Sequence, residues 1–550
     1  MLDADQKKLA EELFFSEKKK PSFAKQLFFG KLEASSVFPY PFPTKEEKLQ
    51  GDRFAESVEK FADEHIDADA IDRKAKIPSS VIEGLGELGL LKCTIPVKHG
   101  GLGLSQYAYC RAMEVIAGKC AATALFINAH QSVGLKALVL FGTKEQQEKW
   151  LPRLTVGKAL AAFALTEPNA GSDAAGVETQ ATYNASKKTY SISGRKQWIT
   201  NGSLAEILTV MAKTPDGKIT AFLVTPDMPG FKVLDASLEK VGMRGSTTSN
   251  LLFDHVEVPE ANILGPMGGG LKVCLTVLDY GRTTFGATCT GVAKDLVKRA
   301  TEHAILRHQF KRPLASFELV KEKISKMHAL LYAMESTTYL TAGLIDRGIE
   351  DFMLESAMLK VFNSDALWTI LYDTMQIFGG RSFFTSAPLE RNMRDARLNM
   401  IGEGSNEVLR AFIGVVGMRD VGMELKSWWK PNVWTSRLKK PRISSPLKEA
   451  RMLEDLIYKF GWKVVHALAK YREEIVEKQL VLNRFAEAAM SIYTMTAVIS
   501  RMEASKEDLE LGNYYCRVAE RNANHHLNFL NDPLDDATIY LADSLTGIKK

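Results

Sequence analysis

Residues 163–173 read FALTEPNAGSD and mark the point where helical periodicity gives way to short β-rich runs. Before this point, residues 49–159 repeat apolar positions at helical spacing, as in FAESVEKFADEHI, VIEGLGELGLL and AYCRAMEVIAG. After it come ATYNASKKTYSISG, ILTVMAKT, KITAFLVT and LLFDHVEVP, which are separated by turn residues. We therefore predict an N-terminal α domain over residues 49–159 and an antiparallel β domain over residues 160–269.

Helical periodicity returns further along the chain and predicts helices over 270–306, 317–346, 351–378 and 404–418. These helices form a predicted C-terminal α domain over residues 270–425. A basic, proline-bearing linker follows at 426–448, and an additional C-terminal helical domain at 449–550. Residues 1–48 are irregular and are interpreted as an extended N-terminal arm. The segregated helical and β layers predict an α+β fold and exclude the βαβ alternation of a doubly wound nucleotide-binding sheet.

Composition narrows the classes of function. The chain has 550 residues and a formal net charge of +5, which is too weak over this length to indicate nucleic-acid binding. Its six cysteines form no CxxC pair, so we expect buried thiols in a reducing compartment, with no metal site and no disulfide framework. The N-terminus resembles neither a signal nor a transit peptide, and no stretch reaches the length of a membrane span. The expected location is cytoplasmic or peripheral on the inner membrane.

Two segments around the start of the β domain combine hydroxyls, turn residues and a flat aromatic side chain. FALTEPNAGSD offers Thr166 and Ser172 beside backbone N–H groups, and KQWITNG (196–202) offers Trp198. Taken alone, the first segment is equally well an ordinary polar turn, and a tryptophan inside a strand is more often a core residue. Taken together, the two segments indicate a site for one planar ligand.

Two glycine-bearing segments follow in the helical region. QIFGGRSF (376–383) ends a predicted helix with two glycines, which allow close backbone approach to a ligand, although a helix cap explains one of them. IGEGSNEVLR (401–410) places Glu403 between Gly402 and Gly404 just before a helix. A carboxylate in that place suits a general base, and the alternative is a favourable charge near a helix N-terminus.

The order and spacing of TEPNAGSD, QWITNG, RHQFKRPLASF, QIFGG and IGEGSNEVLR resemble those of the acyl-CoA dehydrogenase family over about residues 50–420. SFAKQLFFGKLEASSVFPYP and NRFAEAAMSIYTMTAVISRMEAS resemble its very-long-chain branch, which carries an extra C-terminal helical domain. The resemblance implies an FAD enzyme that dehydrogenates long-chain acyl-CoA to trans-2-enoyl-CoA in fatty acid β-oxidation. It also implies that electrons pass to an electron-transfer flavoprotein.

The resemblance assigns roles to individual residues. Glu403 would be the catalytic base, and Arg282 would lie near it. Substrate contacts would come from Ser172, Arg282, Gly402 and Gly404. FAD contacts within one chain would come from Phe163, Leu165, Thr166, Ser172, Trp198, Ile199, Thr200, Ser405 and Asn406. Contacts with the FAD of a neighbouring subunit would come from Arg307, Phe310, Gln376, Gly379 and Gly380, which implies at least a homodimer.

In the mechanism implied by the resemblance, the backbone N–H of Glu403 and a flavin hydroxyl hold the thioester carbonyl. One such donor contributes about 3 to 4 kcal/mol to an oxyanion-like transition state. The sequence departs from the family at Gly402, where an aromatic or bulky residue is usual, and at Lys311, where glycine is common. Two other readings therefore stay open: a catalytically weak assembly or scaffold protein, and an acyl-CoA oxidase.

Two further segments carry expectations about specificity and membrane contact. In KCAATALFINAHQS (119–132), Ala122 and Ala124 would leave a deep slot for a long acyl chain, and the alternative is close helix packing. In the linker 426–448, Trp428, Trp429 and Trp434 stand among many basic residues. This combination predicts peripheral membrane contact, and the alternative is a solvated linker.

Overall fold

The computed structural model describes residues 22–155, 159–426 and 437–548. These residues divide into two units, each with a hydrophobic core of its own. The first unit runs over Pro43–Met327 and Asn363–Gly404, and the second over Lys20–Phe42, His328–Phe362 and Ser405–Lys550. The predicted α+β class, with an extra helical domain at the C-terminus, is confirmed.

The first unit begins with helices that precede the strands in the chain. They span Lys45–His65, Ala68–Lys74, Ser79–Glu87, Gln106–Lys119, Ala121–Asn128, Lys136–Phe141 and Lys144–Thr155, with a π-helical segment at Ala129–Leu135. Thr44 and Glu47 form a capping box that starts the first of these helices, and Ser105 caps Gln106–Lys119. These caps fix the starts of helices whose apolar faces the sequence pattern predicts.

One helical run, Ala121–Phe141, is long and apolar enough to cross a membrane by length and composition alone. We expected no stretch of that length, so this is a correction. Of its most apolar window, 67% is buried inside the first unit, as in the core helix of a globular domain.

The β domain forms one sheet of eight strands: β1 (Ala161–Ala164), β2 (Gln180–Asn184), β3 (Thr189–Thr200), β4 (Ile207–Lys213), β5 (Ile219–Val224), β6 (Phe231–Asp235), β7 (Thr248–Pro259) and β8 (Ile263–Leu264). The order is β6-β7-β3-β2-β4-β5-β8, and β1 pairs with β4. The antiparallel expectation needs one correction, because β1 and β2 both pair with β4 in the parallel sense. β1 follows a helix and is not joined to β4 by a hairpin. Only a hairpin connection forces two strands to pair in the antiparallel sense.

Three later helices agree closely with the periodicity and span Gly270–Leu306, Glu318–Asp346 and Met353–Phe378. A further helix, Leu389–Arg397, was not predicted. Between the first two lies a hairpin of β9 (His308–Gln309) and β10 (Arg312–Pro313). Its turn residues, Phe310 and Lys311, both have positive φ. Lys311 therefore stands in a left-handed conformation that glycine adopts without strain, which explains why glycine is common there.

The second unit is helical. Its helices are Phe23–Phe28, Ala34–Val37, Asn406–Leu425, Lys448–Tyr471, Gln479–Ser505, Leu509–Asn528 and Leu534–Thr546, together with parts of Glu318–Asp346 and Met353–Phe378. The arm is not extended, which corrects the expectation for residues 22–42. Phe23, Leu27 and Phe28 are buried in the same core as Phe460 and Phe485, because aromatic side chains of this size cannot stay in water at low cost.

The linker is described only in part, because residues 427–436 lie outside the described residues. The three tryptophans of the predicted membrane segment are among them. In the described part, Arg437 pairs with Glu424, Lys440 with Asp455, and Arg442 with Glu454. Much of the linker's positive charge is thus already paired within the second unit.

Candidate active site

The backbone at Glu403 is held in an uncommon conformation. Glu403 has φ +57° and Gly404 φ +93°, and a left-handed residue other than glycine costs about 1 to 2 kcal/mol. Arg282 Nε donates to the Glu403 carbonyl oxygen at 3.2 Å, and Arg282 is itself buried and paired with Asp279 at 3.1 Å. The predicted neighbours Glu403 and Arg282 are thus brought together, and the base lies on a turn that is fixed rather than mobile.

The carboxylate of Glu403 lies against two helices. Asn128 Nδ2 donates to Glu403 Oε1 at 2.7 Å. On the other side, a Cβ added to Gly281 would lie only 2.8 Å from Glu403 Oε2, so a glycine is needed to leave room for this oxygen. The sequence analysis missed both residues. The available signal was an asparagine in an otherwise apolar helical run and a glycine inside a long helix.

A π-helical segment follows Asn128 directly and shapes this wall of the site. Within Ala129–Leu135, His130 accepts the backbone N–H of Ala161 at Nδ1, so its Nε2 carries the proton that is donated to the Leu91 carbonyl. Burial lowers the pKa of His130 to about 4, and the ring stays neutral near pH 7.

The same π-helical segment also contacts a buried tyrosine. Ser132 donates to Tyr109 Oη at 3.1 Å. Burial raises the pKa of Tyr109 well above 10, and the Glu403 charge adds to this. Single π turns often occur at functional sites.

A narrow cavity runs along the two helices that carry Asn128 and Arg282. Its lining residues are Ala121, Leu125, Met243, Phe285, Thr288, Val292 and Asn399. Leu125 and Ala121 lie one and two turns from Asn128, and Phe285, Thr288 and Val292 lie one to three turns from Arg282. At 1.5 Å per residue the lined stretch is about 6 Å on the first helix and about 10 Å on the second. The lining is mostly apolar, as a slot for a hydrocarbon chain requires.

The predicted specificity residues lie elsewhere on the same helix. Ala122 is buried, and its Cβ is 3.5 Å from the place that a Cβ on Gly245 would take. Ala124 is also buried, and neither residue is among those that line this cavity. Ala121 lines the cavity, and an effect of Ala122 and Ala124 on the preferred chain length stays a prediction.

The segments TEPNAGSD and QWITNG lie side by side. Gln197 N–H donates to the Thr166 carbonyl at 2.8 Å, and Lys196 Nζ donates to the Leu165 carbonyl at 3.0 Å and to Glu167 Oε1 at 2.6 Å. Lys196 and Glu167 form a buried ion pair. Burial lowers the pKa of Lys196 to about 8, whereas the pKa of Glu167 is lowered because Lys196 outweighs the effect of burial.

Trp198 is 61% exposed and has φ +60° at an irregular step in the pairing of β3 with β7. A bulge of this kind re-aims a side chain, so the reading as a core residue is wrong. Ser172 is also exposed, Thr166 and Thr200 are partly exposed, and Phe163 and Leu165 pack against the core. Ile199 is buried in the sheet core, so its side chain does not face solvent.

The residues predicted to reach a neighbouring subunit are all on the surface. Arg307, Phe310, Gln376, Gly379 and Gly380 are exposed, and no atom lies within 4 Å of a Cβ added to either glycine. His303 and Phe378 stack with ring centroids 4.2 Å apart, which brings the ends of their two helices together. The surface is open to a ligand or to a second chain.

Ser405 and Asn406 belong to the second unit and begin the helix Asn406–Leu425. Ser405 Oγ caps this helix by accepting the Val408 N–H. Asn406 is buried, and its Oδ1 accepts from the buried Lys360 at 2.8 Å. The Asn406 side chain thus helps to fix the start of the helix, and its contact with FAD stays a prediction.

All six cysteines are free and buried, as predicted. Among the described residues, no group of three or more His, Cys, Asp or Glu side chains is placed to hold a metal ion. The chemical groups that the described residues offer are the Glu403 carboxylate, the Asn128 amide, the hydroxyls of Thr166 and Ser172, and the exposed indole of Trp198.

Comparison with known proteins covers nearly the whole chain. Family models match for the acyl-CoA dehydrogenase N-terminal domain (residues 50–158), middle domain (162–256) and C-terminal domain (268–417), and for the ACAD9/ACADV C-terminal domain (445–539). The very long-chain specific acyl-CoA dehydrogenase, mitochondrial, of Mus musculus is 36% identical over 518 residues, which cover 88% of this chain and 79% of the relative.

Two further relatives extend the match. A protein described as probable acyl-CoA dehydrogenase FadE10 of Mycobacterium bovis is 31% identical, with 98% of this chain and 90% of the relative covered. The crystal structure of an acyl-CoA dehydrogenase complexed with FAD from Bacillus anthracis superposes with a TM-score of 0.82 at 28% identity. That superposition covers 96% of this chain and 95% of the other.

Proposed function

Since the chain belongs to the acyl-CoA dehydrogenase family, we propose that it dehydrogenates long-chain acyl-CoA thioesters to trans-2-enoyl-CoA in fatty acid β-oxidation, with Glu403 as the base. The observation that carries the proposal is the position of the Glu403 carboxylate. It lies between the helices of Asn128 and Gly281, which also line an apolar slot. A thioester whose chain fills that slot would present its α-carbon near the carboxylate.

The residues of the chain perform three tasks in this reaction. Glu403 takes the α-proton, and Arg282 fixes the backbone carbonyl of that residue so that the carboxylate keeps its place. The backbone N–H of Glu403 is the donor assigned to the thioester carbonyl, where charge develops as the proton leaves. The slot excludes water from the reacting carbons, which strengthens each of these electrostatic contacts.

FAD is the cofactor, and the surface of the β domain fits it. The exposed indole of Trp198 offers a flat face, and Thr166 and Ser172 offer hydroxyl donors at a turn. When bound, FAD supplies the acceptor for the hydride that leaves the β-carbon. We propose that the electrons then pass to an electron-transfer flavoprotein, as the family resemblance implies.

The long-chain preference rests on the slot between the two helices. Each additional buried CH₂ group contributes about 0.8 kcal/mol, so an acyl chain that extends along this apolar lining would bind more tightly than a shorter one. Ala121 contributes to this lining, because a larger side chain at its position would enter the cavity.

We propose a homodimer as the working assembly. Phe310 is 88% exposed and Phe383 81% exposed, and Leu306, Leu319 and Phe384 are exposed as well. Apolar side chains in such a group usually mark a surface that another chain covers. The exposed glycines Gly379 and Gly380 precede Phe383 in the chain and would leave room for the cofactor of a partner.

Membrane contact through residues 426–448 remains a prediction, as does the cytoplasmic or peripheral inner-membrane location. The tryptophans on which the prediction rests lie outside the described residues. Arg437, Lys440 and Arg442 are ion-paired within the second unit, so fewer free charges face an anionic surface than the sequence indicates. Contact with lipid would depend mainly on the tryptophans.

Anaerobic titration of the purified flavoprotein with acyl-CoA thioesters of increasing length tests the function. We expect long-chain substrates to bleach the flavin absorbance, and Glu403→Gln to retain FAD but to reduce it at least about 10²-fold more slowly. No bleaching by any acyl-CoA, with FAD bound, would favour an assembly role. Rapid reoxidation of the reduced protein by oxygen would favour an oxidase.

A further inference from the structure

Asn128 is a fully buried polar residue at the end of an apolar helix. Its Nδ2 donates to Glu403 Oε1 at 2.7 Å, and a carboxylate, which only accepts, requires that the amide present its NH₂ group. Asn128 Oδ1 is also buried, and it has no hydrogen-bond partner among the described residues. Its neighbours Phe126 and Ile127 are buried and apolar.

An asparagine in this place is costly unless both halves of its amide are used. A buried acceptor without a partner costs about 1 to 3 kcal/mol. A leucine, which branches at the same carbon, would avoid that cost. Packing alone therefore does not explain the amide at this position. The hydrogen bond that the structure shows for its side chain is the one to the Glu403 carboxylate.

On the premise that Glu403 is the base of the proposed reaction, we propose that Asn128 is a positioning residue that bonds the Glu403 side chain in both protonation states. Before the reaction, Nδ2 donates to the carboxylate. When the α C–H bond breaks, its proton moves to a Glu403 oxygen, and the carboxyl group becomes a donor. Asn128 Oδ1 then accepts that O–H. An amide is the neutral side chain that matches both a carboxylate and a carboxylic acid.

The other ionisable groups around Glu403 are an ion pair and two buried rings. Arg282 and Asp279 form a buried ion pair on the helix Gly270–Leu306. Tyr109, on Gln106–Lys119, stays neutral because its pKa lies well above 10. His130, on the π-helical segment, is neutral above about pH 4 and bonds Leu91 and Ala161. A change in the ionisation of Glu403 in an Asn128 variant therefore reports the lost amide.

The expected effect is a shift of the acid limb of the pH profile. The bond to the charged carboxylate is stronger than the bond from the neutral acid, so Asn128 on balance lowers the pKa of Glu403, and Asn128→Leu should raise it by about one unit. The base must be ionised, and the rate of flavin reduction should therefore rise at a pH higher by the same amount. Asn128→Asp should also move the limb upward, because two adjacent carboxyl groups resist a double negative charge.

The experiment compares the full-length flavoprotein with Asn128→Leu, Asn128→Asp and the control Asn399→Leu. Asn399 is a buried asparagine that lines the narrow cavity, and its Oδ1 also has no hydrogen-bond partner among the described residues. Whatever Asn399→Leu does to the rate, its acid limb should stay at the wild-type pH. An unshifted limb in Asn128→Leu, or an equal shift in Asn399→Leu, overturns the proposal.

A second measurement needs no turnover. The infrared difference between each protein and its Glu403→Gln form isolates the carboxyl band of Glu403, and its midpoint should move upward in Asn128→Leu. An unmoved midpoint overturns the proposal even if the protein is not a dehydrogenase. Conversely, a wild-type flavin that acyl-CoA does not bleach, together with a moved midpoint, contradicts the proposed function and supports the bond between Asn128 and Glu403.

Discussion

Glu403 combines a strained backbone with a closely fitted side chain, and single atoms decide whether the fit holds. The left-handed conformation of Glu403 directs the carboxylate toward Gly281, where one hydrogen takes the place of a methyl group. The carbonyl bond from Arg282 then compensates part of the local strain. The sequence identifies the acid, but only the fold identifies the groups that hold it.

Gly281→Ala should therefore slow flavin reduction sharply. The new methyl carbon would lie 2.8 Å from Glu403 Oε2, so the carboxylate must move, and a displacement of about 1 Å can cost about 10²-fold in rate. Rapid-reaction measurements with a long-chain acyl-CoA would detect the loss.

The matched control for Gly281→Ala is Gly422→Ala, also inside a helix. Its added Cβ would meet only Leu468 at 3.7 Å, an ordinary contact. The control should keep the wild-type rate and gain roughly 0.5 to 1 kcal/mol of stability. Wild-type kinetics in Gly281→Ala would show that the carboxylate is not confined as the structure indicates.

Elements of regular structure were largely predictable because their signals are local. The helix Gly270–Leu306 begins and ends where the periodicity predicts, and the β domain starts at the predicted junction. Features that depend on long-range pairing were not predictable. The exposure of Trp198 follows from irregular pairing between β3 and β7, and the burial of Phe23 and Phe28 follows from helices more than 400 residues later. Neither feature can be predicted from a short segment of sequence.

The ion pair of Lys196 and Glu167 joins strand β3 to the turn after β1, and it should be essential for this element. Removing one partner of a buried pair leaves an uncompensated charge and costs about 3 to 5 kcal/mol. Lys196→Met should lower the free energy of unfolding by that amount and weaken FAD binding, because Thr166 and Trp198 flank the pair. Urea denaturation and flavin release would measure both effects.

An exposed ion pair in the same sheet provides the control for Lys196→Met. Lys232 and Asp254 lie 3.5 Å apart with both side chains more than half exposed, and pairs of this kind contribute little. Lys232→Met should leave the denaturation midpoint and the flavin content nearly unchanged. Equal losses in the two variants would contradict a special role for the buried pair.

On the scale of the whole molecule, the arm is part of the core of the second unit. Ser22 Oγ and the Ala24 N–H both donate to Glu355 Oε1, at 2.7 and 2.9 Å. Burial raises the pKa of Glu355 from its ordinary value of 4.5 to about 7. The carboxyl group that receives the arm is therefore in an unfavourable place for a negative charge.

Glu355→Gln should remove a pH dependence of stability. Between pH 4.5 and about 7, the folded chain keeps a proton that the unfolded chain has released, so the free energy of unfolding falls as the pH rises. The fall is complete above pH 7 and amounts to about 3 kcal/mol. Glutamine cannot ionise, so the variant should lose this slope and be the more stable protein at pH 8.

Urea titrations at several pH values would measure the slope, with the exposed Glu474→Gln as the control that keeps it. An unchanged slope in Glu355→Gln would mean that Glu355 is ionised in the folded protein at neutral pH.

The proposed homodimer gives the last prediction. The stack of His303 on Phe378 brings together the ends of two helices, and beyond those ends lie the exposed Phe310 and Phe383. Two aspartates in their place would bury charge in any interface formed there, so the double variant should sediment at 61.1 kDa and lose FAD, whereas the wild type should sediment at twice that mass. Leu545→Asp, which changes a residue that is 79% exposed in the second unit, should leave both properties intact. Dissociation by Leu545→Asp and not by the double variant would assign the interface to the C-terminal helices instead.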